Sequence, residues 1–265
     1  MENISGLDFA YLDRCLLENS GIEIATLVDV FRGREAGTVV QKGPKSVVRR
    51  HPVGDQEIYL KLYRWRRISR WLGMDRGYCR ALKALENASR LASLGIKTAP
   101  VLALVKRDRN GITAESGLFT LSLSPAQAIS RYLIERLSNR QAGTHRHEIL
   151  RQLADFLWNI HEKQIYPKDF KDGNILIRQI SEQYCFYLVD YDSFLFLRSI
   201  SSRRRLKNLY QIGSTLRYAL SEGELEFLLQ AYCERRPSLS GRVRALQREI
   251  ETNPRSRAAP AFVRD

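Results

Sequence analysis

The sequence lacks the features that mark several protein classes. Its four cysteines are scattered without a CxxC pair, which argues against a structural zinc site and against a disulfide framework. Its apolar runs stay far below the roughly 20 residues that a membrane-spanning helix needs. The first residues, MENISGLDFAYLDR, include acidic side chains where a secretory signal has a basic start. We therefore expect a cytoplasmic protein without a transmembrane helix.

The composition is that of a globular protein with an anionic partner. Hydrophobic residues make up 44% and charged residues 27% of the 265 residues, enough to bury a sizeable core in one large domain or two lobes. Lys and Arg number 43 against 29 Asp and Glu, a net charge of +14. This excess alone does not distinguish nucleic acid, an anionic membrane surface and a phosphorylated substrate.

The first half of the chain alternates between strand and helix patterns. Residues 1–30 suggest short helical pieces, and residues 37–64 suggest two or three antiparallel strands. In the segment EIYLKLYR, side chains alternate between the faces of a strand, and Lys61 lies at mid-strand. A helix is then predicted up to about Leu94 with Gly95 as its stop, followed by another strand and a possible hairpin turn at Asn110-Gly111.

The second half is mainly helical. Apolar residues at helical spacing predict a helix over 146–161, followed by a loop, two short strands and further helices. This order predicts an α+β fold with two lobes. We expect an N-terminal lobe over 1–138 with a preceding helical segment, a C-terminal helical lobe with the catalytic loop over 139–252, and a flexible tail over 253–265.

The strongest chemical signal lies between His161 and Asp192. Asp169 and Asn174 are five residues apart in a loop that follows a helix, and Asp190 ends a later strand. Phosphoryl transfer uses one carboxylate to accept the proton of the acceptor hydroxyl, while an amide oxygen and a second carboxylate bind magnesium. Lys61 would then hold the α and β phosphates of the nucleotide, and Lys171 would reach the γ phosphate.

These segments resemble the catalytic loop and metal-binding motif of the protein-kinase-like superfamily. The matching texts are PKDFKDGN at 167–174 and VDYD at 189–192. Together with YLKLYRW, LASLGIKTAP and the D-hydrophobic-D ending, they are similar to the lipopolysaccharide core kinase family, which phosphorylates Kdo or heptose sugars. The resemblance covers roughly residues 47–220 and implies a two-lobed protein-kinase-like fold, with ATP and Mg²⁺ as cofactors.

The resemblance also implies further nucleotide-binding residues. Glu86 on the long helix would pair with Lys61, and the turn QKGPKS around Gly43 would cover the phosphates. The connector YLIERLS would be the adenine hinge, with contacts near Glu135 and Leu137. Asp192 is open between a second metal ligand and a turn cap.

The expected reaction is ATP-dependent phosphorylation of a sugar hydroxyl of an anionic glycolipid, and the expected glycolipid is the lipopolysaccharide inner core. The net charge would hold the enzyme at the inner face of the inner membrane as a peripheral protein. The basic, Trp-containing segment 63–80 would bind such a surface or form an ordinary basic face, and no nucleic acid partner is expected. The alternatives are a small-molecule or protein kinase of the same fold and a catalytically inactive, kinase-like basic binding protein.

Overall fold

The chain forms two compact units in the computed structural model, residues 1–124 and 125–265. The division falls earlier than the one expected after residue 138. Helix 129–136 packs against strand 175–180 and so belongs to the second unit. The structure describes residues 2–63, 76–109, 112–136, 143–181 and 183–252.

The first unit is built on a seven-stranded antiparallel sheet. Its strand order is β1-β2-β6-β7-β5-β4-β3. The predicted turn at 110–111 lies outside the described residues, but the strands on either side of it pair as a hairpin. The strands are β1 (Glu2–Ile4), β2 (Leu7–Leu12), β3 (Thr38–Lys42), β4 (Ser46–Val53), β5 (Gln56–Tyr63), β6 (Val101–Arg109) and β7 (Ile112–Leu121).

The expectation of purely helical pieces before residue 30 was wrong for the first dozen residues. Strand β2 pairs antiparallel with β6, and Leu7 and Phe9 are buried two residues apart. This period of two is the strand pattern. Two short helices follow, α1 (Arg14–Ser20) and α2 (Ile24–Arg32), and their apolar residues join the core of the sheet.

Helix α3 (Arg76–Ser93) packs against strands β5, β6 and β7. Its buried face consists largely of alanines, which permit a close approach to the sheet. Gly95 adopts a left-handed conformation at φ 71°, and the Ile96 N–H donates to the Leu91 carbonyl at 2.9 Å. A glycine in this left-handed conformation ends the helix, so the predicted stop at Gly95 is confirmed.

The second unit is mainly helical, and its described residues also form five short strands in two small sheets. The predicted helix over 146–161 is confirmed and is longer at both ends, and the two predicted short strands pair as a hairpin. Within the described ranges, every helix is too short or too polar to cross a bilayer. The elements are β8 (Gln127–Ala128), α4 (Ile129–Arg136), α5 (Gly143–Glu162), β9 (Ile165–Pro167), β10 (Ile175–Ile180), β11 (Gln183–Leu188), β12 (Phe194–Phe196), α6 (Ser202–Leu216), α7 (Glu222–Glu234) and α8 (Val243–Thr252).

Gly117 in β7 marks a position where a side chain has no room. A Cβ atom there would lie 2.7 Å from Leu60 Cδ1 and 2.9 Å from Phe31 Cε2. We expect Gly117→Ala to lower the free energy of unfolding by about 1–3 kcal/mol, because the added methyl must displace buried side chains.

Urea unfolding measures this difference. Gly43→Ala is the matched control, because its Cβ would meet nothing closer than Ser46 O at 3.7 Å. Equal stability of the two variants would contradict the packing of Phe31 and Leu60 around Gly117.

Candidate active site

Strand β5 places Lys61 in the middle of the sheet of the first unit. Lys61 lies opposite Val48 of β4 and Leu118 of β7. Its Nζ atom lies 5.4 Å from the centroid of the Tyr63 ring, on the same face of the strand. The neighbouring Leu60 is fully buried, so the predicted alternation along this strand is present.

The first unit contains two other residues that were predicted to contribute to nucleotide binding, Gly43 and Glu86. Gly43 lies in the turn between β3 and β4, where its N–H donates to the Ser46 carbonyl at 2.9 Å. Glu86 lies on the exposed side of α3, whereas its neighbour Asn87 is buried. The ion pair between Glu86 and Lys61 stays a prediction.

The predicted adenine hinge is a helix at its described residues. Glu135 lies in α4, where its side chain accepts a hydrogen bond from Arg131 at 2.6 Å. The connector YLIERLS is therefore helical up to residue 136, because the apolar residues of this segment recur at helical spacing. Leu137 lies outside the described residues, and a contact of either residue with adenine stays a prediction.

The loop after β9 brings together two of the predicted catalytic residues. The side chain of Asp169 is 61% exposed, and that of Lys171 is 39% exposed. Lys171 Nζ lies 3.0 Å from Asp169 Oδ2. An ion pair this exposed contributes at most about 1 kcal/mol, so it can open at small cost.

Asn174 is buried at the end of the same loop. Its side-chain nitrogen donates to the Asp169 carbonyl at 2.8 Å, which leaves its amide oxygen as the atom that can bind a cation. The Val189 N–H donates to the Asn174 carbonyl at 3.1 Å. The β10-β11 hairpin therefore places Asn174 beside the residue that precedes Asp190.

Asp190 adopts a left-handed backbone conformation with φ 58° and ψ 44°. Such a conformation is uncommon for residues other than glycine and is concentrated at functional sites. Burial, and then the charge of Asp190, raise the pKa of the adjacent Tyr191. Asp192 lies in the short 3₁₀ turn Tyr191–Ser193 that follows.

Asp172 has both its backbone N–H and its carboxylate hydrogen-bonded within the second unit. It is buried, its N–H donates to Thr215 Oγ1 at 3.0 Å, and its carboxylate accepts a hydrogen bond from the hydroxyl of Ser130. No group of three His, Cys, Asp or Glu side chains that could hold a metal ion occurs in the described part of the chain.

Helix α6 contacts the loop after β9 with a polar face that the sequence analysis missed. Asn208 donates to the Pro167 carbonyl at 2.8 Å, and Gln211 donates to the Lys168 carbonyl at 2.9 Å. The N–H of Asp172 completes the set at Thr215. These three residues of α6 recur at helical spacing and so share one face, but the sequence does not show that this face contacts the loop.

Asn208 also belongs to a buried hydrogen-bond network in the second unit. His161 Nε2 lies 3.1 Å from Asn208 Oδ1, and His161 Nδ1 lies 2.6 Å from the Tyr232 hydroxyl, which Arg205 approaches at 3.2 Å. Since the amide nitrogen of Asn208 donates to a carbonyl, its Oδ1 accepts, and Nε2 carries the hydrogen. Arg205 donates to the Tyr232 hydroxyl, so this hydroxyl donates to Nδ1, and His161 is held as a neutral ring.

A family model and a solved structure match this chain. The model of the lipopolysaccharide kinase (Kdo/WaaP) family matches residues 32–232. A solved structure described as WaaP in complex with acyl carrier protein is similar with a TM-score of 0.60 and 16% identity, over 92% of this chain and 98% of that chain. No curated protein sequence matches. The structural likeness confirms the predicted α+β, protein-kinase-like fold.

The buried His161 predicts a specific pH dependence of stability. Burial lowers its pKa from 6.5 to about 4, opposed by the hydrogen bond with Asn208 and reinforced by the charge of Arg205. Between these pH values the unfolded chain binds a proton that the folded chain does not. The free energy of unfolding should therefore fall as the pH drops through this window, by on the order of 3 kcal/mol.

Urea unfolding at about pH 7 and about pH 4 measures this fall. In His161→Gln the side chain does not titrate, so its stability should depend less on pH across the window. An equal pH dependence of the variant and the natural chain would contradict a buried neutral His161.

Proposed function

The chain belongs to the lipopolysaccharide kinase (Kdo/WaaP) family, and we propose that it transfers the γ-phosphoryl group of ATP to a hydroxyl of an inner-core sugar, Kdo or heptose. The geometry of the loop after β9 carries the proposal. It exposes the carboxylate of Asp169 while it buries Asn174 and bonds it to the Asp169 carbonyl. A reachable carboxylate next to a fixed amide oxygen is what phosphoryl transfer requires.

Asp169 is the proposed base. Its exposed carboxylate accepts a hydrogen bond from the sugar hydroxyl and takes the proton as the oxygen bonds to the γ phosphorus. The bond between the γ phosphorus and the bridging oxygen breaks, and ADP leaves with the electron pair. Lys171 exchanges its exposed contact with Asp169 for an oxygen of the transferring group, whose charge it neutralises.

Asn174 and Asp190 are the proposed magnesium ligands. Both offer hard oxygen atoms, and two protein ligands suit Mg²⁺, which keeps several waters and substrate phosphates in its coordination shell. Bound there, the ion would neutralise phosphate charge. The left-handed backbone of Asp190 and the hydrogen bonds of Asn174 to the loop support this role, because they hold both residues in one conformation.

The first unit supplies the proposed phosphate contacts. Lys61, on a strand buried on its other face, would bind the α and β phosphates, and Glu86 would orient it. Because the Gly43 N–H already donates to Ser46, the turn would act through its exposed lysines, Lys42 and Lys45.

The charge of the second unit supports an anionic acceptor. Lys168, next to Asp169, is exposed, and so are Arg203, Arg204 and Lys207 in the first turns of α6. The guanidinium carbon of Arg204 lies 5.6 Å from the ring centroid of Tyr166, three residues before Asp169. Cationic side chains beside the loop favour a phosphorylated or carboxylated glycolipid, and the net charge of +14 favours its membrane surface.

Transfer of labelled γ-phosphate to Kdo-containing and heptose-containing core glycolipids tests the proposal. We expect Asp169→Asn to reduce kcat by at least about 100-fold, because the proton of the acceptor loses its base. ATP binding should persist, since the substitution removes no proposed nucleotide contact.

Asp155→Asn is the matched control. Asp155 lies on α5 and forms an exposed ion pair at 2.7 Å with Arg235, the residue that follows α7. Full turnover of Asp169→Asn would contradict the assignment of the base. Transfer only to soluble sugars or to protein would indicate a small-molecule or protein kinase. Salt-sensitive lipid binding without transfer to any acceptor would indicate an inactive binding protein.

We also propose a protein partner. The similar structure contains acyl carrier protein bound to WaaP. Co-purification of this chain with acyl carrier protein from a joint expression would support the same association here, and separate elution at low and high salt would oppose it.

A further inference from the structure

Gln211 of α6 contacts the peptide groups on both sides of Asp169. Its side-chain nitrogen donates to the Lys168 carbonyl at 2.9 Å, and its side-chain oxygen accepts from the Phe170 N–H at 3.4 Å. One amide thus bonds to the backbone as a neighbouring strand would. Asp169 lies between the two anchored groups.

The orientation of the Gln211 amide is itself fixed. Asn208 Nδ2 donates to Gln211 Oε1 at 2.8 Å, so this oxygen accepts from Asn208 as well as from Phe170. A flipped amide would face both donors with its own NH₂ group and would lose all three hydrogen bonds. Asn208 is held in turn by the buried ring of His161.

The carboxylate of Asp169 has little support of its own. It is largely exposed, and its contact with Lys171 is an exposed ion pair of small energy. Its direction is therefore set by the backbone at 168–170, where Gln211 holds the groups on either side and Asn174 holds the Asp169 carbonyl. A misplaced catalytic group loses rate steeply, by about 100-fold for a displacement of about 1 Å.

We infer that Gln211 is a positioning residue that orients Asp169 toward the acceptor hydroxyl through the peptide groups on either side of it. This inference rests on the proposed function for the role of Asp169. It makes no claim on nucleotide binding, since the side-chain hydrogen bonds of Gln211 within the described residues go to residues 168, 170 and 208.

Gln211→Leu removes both hydrogen bonds to the loop while it preserves side-chain size. We expect kcat to fall about 10- to 100-fold and the KM for ATP to stay within about two-fold, because the transition state needs the orientation and nucleotide binding does not. Hydrogen exchange of a peptide over 166–174 should become faster, since the Phe170 N–H loses its acceptor. The matched control is Gln230→Leu on α7, where the exposed side chain contacts only Glu226 at 2.8 Å.

An unchanged kcat would overturn the inference. A joint change of kcat, KM and melting temperature would overturn it as well. Should Gln211→Leu fail to fold, Gln211→Glu decides by the same measurements, because it keeps an acceptor for Phe170 and loses the donor to Lys168. If the natural chain phosphorylates no acceptor, the proposed function fails. Hydrogen exchange then still decides the contact: faster exchange over 166–174 supports it, and unchanged exchange contradicts it.

Discussion

The hydrogen bonds between helix α6 and the loop after β9 are the interaction on which the candidate site depends. Residues 168–171 form neither helix nor strand, so their backbone groups need partners from elsewhere. From one face of α6, Gln211 bonds to residues 168 and 170, and Asn208 and Thr215 bond to the flanking residues 167 and 172. Because a helix is rigid over this length, these bonds give the loop a fixed conformation while the carboxylate of Asp169 stays exposed.

The support of this face extends into the core of the second unit. Asn208 contacts the neutral ring of His161, which contacts Tyr232, and Arg205 joins the same hydroxyl. Buried polar groups are costly when a partner is missing, so such a network favours one arrangement of its members. The loop that carries Asp169 therefore gains its order from residues that lie outside the loop.

Local patterns explain which parts of the fold and site were predictable. The alternation in β5, the helical period in α5 and the spacing of Asp169, Asn174 and Asp190 are visible in the sequence, and they predicted the strand, the helix and the candidate residues. The strand Leu7–Leu12 was missed because its pattern is short and its partner β6 lies far along the chain.

The polar face of α6 was missed for the same reason, since its partners lie about 40 residues away. Nothing local distinguishes Gln211 from an exposed glutamine such as Gln230.

Calorimetric titration with ATP in the presence and absence of magnesium tests the central claim most directly, that the second unit holds a metal-dependent nucleotide site at Asn174 and Asp190. We predict binding to the natural chain that requires magnesium, loss of that requirement and of most of the affinity in Asp190→Ala, and unchanged binding in Asp155→Ala. Equal magnesium-dependent binding by the natural chain and Asp190→Ala, or no binding by the natural chain, would contradict the claim.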